Sequence, residues 1–375
     1  MEPASEPRPA VAPSHPRARL AAFGRWAGYP IAVFLASRAG IVLVTELSLY
    51  LDPALHRGAG PTPPLYGLCR WDCGWYASIA NGGYASPSHA AFFPLFPLLG
   101  RATAWLTHLP AERALVLVAN LAALGAALAV YRVFEEVSDA GSARAALALQ
   151  VFWPFSFFSA AGYTESLLIL FTALGLWLAL RRCHFAAGAA VGIASLGRHL
   201  ALIAGLGLLA EHVRERGLGR RLWWTPKILA LLVPLALFAI QPLFLWRRFG
   251  DPFFFFTVRG GVWEPHGIWA FFGRAWWPEV GVYVGFAPVI LAGAALLLRR
   301  RAWWSLAAFA IPYLLVVLSV GLTGLGRFPA SCWPAFLPFG AWLSKRPALL
   351  APAVGTFALL QGMFVYLYSH SYPIN

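Results

Sequence analysis

The sequence holds few charged residues among long apolar runs, so those that could do chemistry stand out. Asp72 lies in Arg70-Trp71-Asp72-Cys73-Gly74-Trp75-Tyr76, a single carboxylate among two tryptophans and a tyrosine. The faces of Trp71, Trp75 and Tyr76 suit stacking against a sugar ring, and a carboxylate there can take a hydroxyl's proton, which makes Asp72 a candidate general base. The plain alternative is a helix cap. Glu165, in Gly162-Tyr163-Thr164-Glu165-Ser166, is expected at a helix start. There Thr164 would cap and Glu165 would complement the helix dipole, or Glu165 would accept a hydrogen bond from a bound molecule. Arg198 sits with His199 inside the apolar run 188–210. A guanidinium at that depth needs an anion or water. Either Glu165 or Asp72 pairs with it, or it binds a lipid phosphate in the bidentate way open to arginine. Arg327, in Gly324-Leu325-Gly326-Arg327-Phe328-Pro329, raises the same choice, with snorkelling to the headgroups as its plain reading. Of the two, Arg198 is expected to be the deeper. Arg38 is expected to pair within the bundle.

Other chemistries find no residues. His89 and His199 make no recognisable metal set, no Asp-x-Asp pair is present, and no glycine-rich phosphate loop opens a helix. Neither a metal nor a nucleotide cofactor is therefore expected.

The elements that must position these residues are membrane helices. The chain has 375 residues, 59% of them hydrophobic and 12% charged, against roughly 25% charged in a soluble domain. Apolar stretches near the ~20 residues needed to cross a bilayer recur along it. None alternates with the period of a barrel strand, so helices must satisfy the backbone. Eleven spans are expected, at 30–51, 113–133, 145–162, 165–181, 185–197, 199–211, 227–246, 282–298, 302–320, 331–344 and 349–368. The fifth and sixth read as one hairpin broken near Gly197-Arg198. The net charge of +14 falls in short connections, which suggests topology and attraction to anionic lipid rather than nucleic acid. With the N-terminus inside, every inner connection is basic and the C-terminus is outside.

Two long outer loops follow, 52–112 and 247–281. The first contains Ala91-Phe92-Phe93-Pro94-Leu95-Phe96-Pro97 and then Arg101, and reads as an interfacial or re-entrant helix. The second carries Phe253 to Phe256 and Trp263, Trp269, Trp276 and Trp277, at a density that suits the headgroup level. Residues 1–28, rich in Pro and Arg, read as a disordered cytoplasmic segment, and 29–375 as one transmembrane domain. Cys69 and Cys73 could form an outer-side disulfide, but free thiols are expected, because two cysteines four apart on a helix pair poorly.

The chain resembles the PIG-V-type mannosyltransferases, which add the second mannose of GPI anchors, and their bacterial relatives. The matching residues are Trp71-Asp72-x-x-Trp75-Tyr76 with Ile79-Ala80 and Gly83-Tyr84; the run 91–97; and Pro154-x-Ser156-x-Phe158 leading into Tyr163-Thr164-Glu165-Ser166-Leu167. Arg327-Phe328 followed by Pro334-Ala335-Phe336 agrees more loosely. The resemblance implies an all-α polytopic bundle of the GT-C class, an essential Trp71-Asp72 pair, and a polyprenyl-phosphate mannose donor used on the non-cytosolic face. Two places depart from it: Arg198-His199-Leu200-Ala201, where relatives carry Arg, a polar residue, Asn and Gly, and Gly162, where Pro is common.

Residues and resemblance together suggest one reaction. The leaving group is a phosphate monoester, which needs cationic stabilisation rather than an acid, and Arg198 and Arg327 would supply it. Asp72 would activate the acceptor hydroxyl of a glycan or glycolipid, and attack opposite the phosphate predicts inversion. The expected place is a bacterial plasma membrane, or the ER membrane in a eukaryote, with membrane lipids as surroundings. The alternatives are a lipid or sugar transporter, which would not need the aromatic loop around Asp72, and a non-catalytic subunit of a glycosyltransferase complex.

Overall fold

In a computed structural model, the described residues are 16–51, 64–217, 226–262, 278–320, 324–372 and 374. They form an all-helical bundle, with no strand among them. The first eight α-helices are α1 Pro16–Leu51, α2 Asp72–Gly82, α3 Leu95–Thr107, α4 Ala111–Val137, α5 Ala140–Phe152, α6 Glu165–Leu180, α7 His184–Gly197 and α8 Ala204–Arg216. Shorter helical pieces run from Pro226–Leu231 to Phe254–Val262, and the last long helices are Pro278–Leu296, Trp304–Val320 and Pro347–Ser369. Among the described residues, five stretches are long and apolar enough to cross a membrane: Phe23–Leu51, Ala111–Val137, Lys227–Phe249, Arg301–Ser319 and Pro347–Ser369. Three shorter apolar helices join them, Glu165–Leu180, His184–Gly197 and Gly285–Arg299. The chain is an integral membrane protein.

The expected spans 145–162 and 331–344 are broken at proline. α5 stops at Phe152, because Pro154 lacks an N–H and pushes Trp153 to an extended ψ of 135°. The carbonyls freed at that break are not left bare. Gln361 Nε2, from the last helix, donates to Val151 O and to Trp153 O, both at 3.1 Å, and the Ser156 hydroxyl donates to Gln150 O. The chain continues as a 3-10 turn, Pro154–Ser159, which carries it to Glu165. In the same way the expected span 331–344 is a 3-10 turn, Trp333–Phe336, followed by the short helix Leu337–Leu343, with Pro334 and Pro338 near their starts.

The broken hairpin forms where expected. α7 ends at Gly197, Arg198 is extended at φ −161° and ψ 124°, and a 3-10 turn His199–Ile203 leads into α8. Gly188 lets α7 lie against 226–231, since any side chain there would meet the carbonyl of Ala230.

Helix α1 begins at Pro16, so residues 16–28 of the expected disordered segment are helical, and 1–15 lie outside the described residues. Loop 52–112 holds α2, a 3-10 turn Pro87–Ala91, and α3. Arg101 on α3 closes the C-terminal end of α2, its Nε donating to Ala80 O at 2.6 Å and its Nη2 to Asn81 O at 3.1 Å. Loop 247–281 packs on loop 52–112: Phe93 meets Phe255 edge to face at 5.5 Å, in a small core with Ala90, Leu245 and Val258. Trp263, Trp269, Trp276 and Trp277 lie outside the described residues.

At the other end of the bundle the connecting turns meet one another. Arg181 pairs with Glu136 at 3.3 Å, Trp303 Nε1 donates to Val137 O at 3.1 Å, and the Ser142 and Ser344 hydroxyls are 3.5 Å apart. Asp139 caps α5, accepting from the Ser142 amide at 2.9 Å and from its hydroxyl. Those Ser142 hydrogen bonds hold the Asp139 carboxyl below its ordinary range.

Candidate active site

The turn that delivers Asp72 is strained and bolted down. Trp71, which precedes α2, has φ +52° and ψ −116°, a conformation that costs a non-glycine residue about 1–3 kcal/mol. Its neighbour Arg70 is held on three sides. The Arg70 carbonyl accepts from the hydroxyls of Tyr163 and Tyr368, each at 3.2 Å. Arg70 Nε donates to Ser369 O at 3.0 Å, and the guanidinium lies 4.3 Å above the Tyr66 ring.

The fourth restraint corrects an expectation. Cys69 and Cys73 are joined in a disulfide, with Cα atoms 5.1 Å apart. Their poor geometry was expected on the premise that both sit on one helix. In fact α2 begins at Asp72, so Cys69 lies on the turn before it and can fold back. Gly162 packs against this bridge, and a side chain there would press into the Cys73 sulfur. The departure from Pro at this position thus makes room for the disulfide.

Four charged side chains from distant parts of the chain then meet. Arg327 Nη1 donates to Asp72 Oδ2 at 2.8 Å, and Arg327 Nε lies 2.7 Å from Glu165 Oε1. Arg198 Nη2 reaches the same Glu165 oxygen at 2.9 Å. Arg327 therefore bridges the two carboxylates, and Glu165 lies between the two guanidiniums. Thr164 does not cap α6; its hydroxyl accepts from Arg198 Nε at 3.1 Å instead. The ring of Phe328 lies 4.8 Å from the Arg198 guanidinium and 4.9 Å from that of Arg327, and Tyr163 lies 4.7 Å from the latter. These rings take the cations' flat faces and leave the N–H edges for anions.

Burial ranks the four. Glu165 is 2% exposed, and Arg198 and Arg327 are each 8% exposed, so neither arginine is deeper than the other, against expectation. The Asp72 side chain is the open member at 25%. Glu165 Oε2 is buried and has no hydrogen-bond partner among the described residues. A buried carboxylate oxygen in that state is an acceptor waiting for a donor. The formal charges of the cluster cancel, so an incoming anion has to compete with a carboxylate for each guanidinium.

The aromatic residues divide. Trp71 is 48% exposed beside Asp72. Trp75 is half-buried, stacked on Phe92 at 6.0 Å and edge-on to His89 at 5.9 Å. Tyr76 is buried against Phe92 and Phe96 at 4.9 and 5.0 Å, with its phenol in the field of Arg198, Asp72, Glu165 and Arg327. Burial holds that phenol above its ordinary range. Tyr76 thus offers the site an edge rather than a stacking face. Arg38 pairs within the bundle, donating to the Ser159 hydroxyl at 2.9 Å.

Sequence reasoning missed Arg70, Tyr163, Tyr368 and Phe328 as parts of this site. Tyr163 stands two residues before Glu165 and was within reach of inspection. Tyr368, near the end of an apolar helix, carried no local signal.

Residues 62–203 match the family described as mannosyltransferase (PIG-V), a stretch that contains Asp72, Glu165 and Arg198. No curated protein matches the chain in sequence. Among solved structures the fold is similar to ArnT from Cupriavidus metallidurans bound to undecaprenyl phosphate, at 16% identity and TM-score 0.53, covering 92% of this chain and 76% of that one. The apo state of the same protein matches at 17% identity and TM-score 0.50, covering 93% and 76%. The oligosaccharyltransferase of Archaeoglobus fulgidus is similar at 15% identity and TM-score 0.46, covering 89% of this chain and 53% of that one. The fold is thus similar to that of ArnT, and the segment that matches the PIG-V family holds three of the four clustered charges.

Proposed function

We propose that this chain is a membrane glycosyltransferase that moves mannose from a polyprenyl-phosphate donor to a hydroxyl of a glycan or glycolipid, on the non-cytosolic face and with inversion at the anomeric carbon. The observation that carries the reading is Arg327 bridging Asp72 and Glu165 while Arg198 holds the far side of Glu165. The family match supports mannose, and the undecaprenyl phosphate named with ArnT supports the carrier.

The residues would act as follows. The donor's phosphate enters beside Arg198 and Arg327 and competes with the carboxylates for them. As Arg327 turns toward the phosphate it loosens its hold on Asp72 Oδ2, so the base is released when the donor is in place. Asp72 takes the proton of the acceptor hydroxyl, and the oxygen forms a bond to the anomeric carbon. The bond from that carbon to the phosphate oxygen breaks, and its electron pair leaves with polyprenyl phosphate, which the two guanidiniums stabilise. The proton on Asp72 passes to water through the exposed side of the carboxylate. Glu165 Oε2 accepts a hydrogen bond from a sugar hydroxyl, and Trp71 covers one face of a sugar ring.

The test is transfer from radiolabelled polyprenyl-phosphate mannose in membranes with and without the protein, with the product and released polyprenyl phosphate both measured. Stoichiometric release of polyprenyl phosphate with label in an acceptor is expected. No transfer in the presence of an acceptor extract, with donor left intact, would overturn the reading.

A further inference from the structure

A second cluster lies at the end of the α7–α8 hairpin opposite Arg198. His184 is the first residue of α7, and His212 and Glu215 are in the last turns of α8. The two α8 residues are three apart, so they share a face of that helix. The hairpin returns α8 beside α7 and brings that face onto His184. One ligand atom from each residue, two imidazole nitrogens and a carboxylate oxygen, lies within 4.8 Å of the others. His212 is 2% exposed, and the two rings are perpendicular with centroids 5.6 Å apart.

We propose that His184, His212 and Glu215 form a binding site for a divalent transition metal of the zinc class. Two imidazoles and one carboxylate are a known zinc donor set. Bonds of about 2.1 Å in a tetrahedron set ligand atoms about 3.4 Å apart. His184 Nε2 and Glu215 Oε2 are already 3.0 Å apart, and small side-chain rotations close the rest. His184 Nε2 is buried and faces that oxygen, so an ion between them would meet both ligands. Glu215 divides its labour: Oε2 faces His184, while Oε1 is held by Lys227 at 3.5 Å and Arg216 at 3.9 Å. Those contacts fix the carboxylate from behind and leave one oxygen for the ion.

The site is structural. The 14 residues of α7 put about 21 Å between it and Arg198, too far for the ion to touch a reacting sugar. A metal here ties the open end of the hairpin whose closed end holds Arg198.

The full chain, purified in detergent with an affinity tag free of histidine and stripped with chelator, would be given Zn²⁺ or Co²⁺ alone. Bound metal per chain, the visible absorption of bound Co²⁺, and the unfolding temperature would be read. One ion per wild-type chain is expected, with a raised unfolding temperature and a low-coordinate Co²⁺ spectrum. Binding should fall at least tenfold in His212→Gln and in Glu215→Gln, and stay in His108→Asn, an exposed histidine elsewhere. If His212→Gln does not elute as a single species, Glu215→Gln, at a side chain less buried than His212, decides. Substoichiometric binding by wild type, or binding by Glu215→Gln equal to wild type, would overturn the site.

Discussion

Asp72→Asn separates a base from a structural partner. In the wild type Asp72 Oδ2 accepts from Arg327 Nη1 at 2.8 Å, and the side chain is a quarter exposed. The amide oxygen of Asn can accept the same bond. What is lost is the charge assistance, about 1 kcal/mol as the difference between charged and neutral hydrogen bonds, and less at this exposure because water screens it. Glu165 still holds Arg327 at 2.7 Å, so the fold and protein yield should stand. Donor affinity should hold or improve, because one competitor for Arg327 has lost its charge. Turnover should fall by about 10²–10⁴, the usual worth of a positioned general base, or about 2.7–5.5 kcal/mol of barrier. The assay is mannose transfer across donor concentrations, with KM and kcat read separately. A fall in kcat at unchanged or lower KM is expected. Near-normal kcat would refute the assignment of Asp72 as base, and a raised KM with unchanged kcat would show that its charge serves binding instead.

Other outcomes follow from the same geometry. Arg327→Ala should lose more transfer than Arg198→Ala, since the first strips a partner from both carboxylates and the second leaves the Arg327 bridge intact. Breaking such a buried pair costs about 3–5 kcal/mol, so yield must be measured with activity; equal transfer by the two variants would contradict the bridging role. Gly162→Ala should lower stability in the wild type and cost much less when Cys69 and Cys73 are both Ala, because the added methyl collides with the Cys73 sulfur and would then meet closely only the Cys73 Cβ, at 3.2 Å. Equal effects of Gly162→Ala in both backgrounds would uncouple that glycine from the disulfide. With Cys183→Ser as background, Thr107→Cys and Asp251→Cys should react with an impermeant thiol reagent in intact cells. Protection of both would reverse the proposed topology.

The fold was legible because its signals are local. Apolar length marks the helices, and the hairpin break shows at Gly197-Arg198, where a guanidinium interrupts an Ala- and Gly-rich run. Proline breaks were equally local, yet the spans at 145–162 and 331–344 were read through Pro154 and Pro334. Apolar content there outweighed backbone chemistry, and the N–H donor that rescues the freed carbonyls comes from Gln361, some two hundred residues away. The charged residues of the site were singly visible as ionisable groups in apolar surroundings, but their pairing was not. Nothing in the sequence says that Arg327 rather than Arg198 reaches Asp72. The disulfide was misread for a similar reason: its feasibility turns on whether α2 starts before or after Cys69, a boundary that the sequence leaves open by several residues.

The neutrality of the cluster bears directly on how the site works. Two guanidiniums without carboxylates would bind any phosphate, including the abundant headgroups of the surrounding membrane. With Asp72 and Glu165 in place, a phosphate gains only what it adds beyond the pairs it displaces, so a bare headgroup has little advantage. A sugar phosphate differs because its hydroxyls can satisfy what the displacement exposes. Glu165 Oε2 is already without a partner, and a sugar hydroxyl donating to it would offset part of the cost of loosening Arg327. Specificity would then arise from the coupling of sugar to phosphate rather than from either alone. Glu165→Gln bears on this step: it keeps the shape and an acceptor oxygen but frees both arginines from their shared partner. Competition by simple anionic phospholipid against the donor should then strengthen in Glu165→Gln relative to wild type. Unchanged competition would mean that the carboxylates do not screen the arginines, and that selection against headgroups lies elsewhere in the protein.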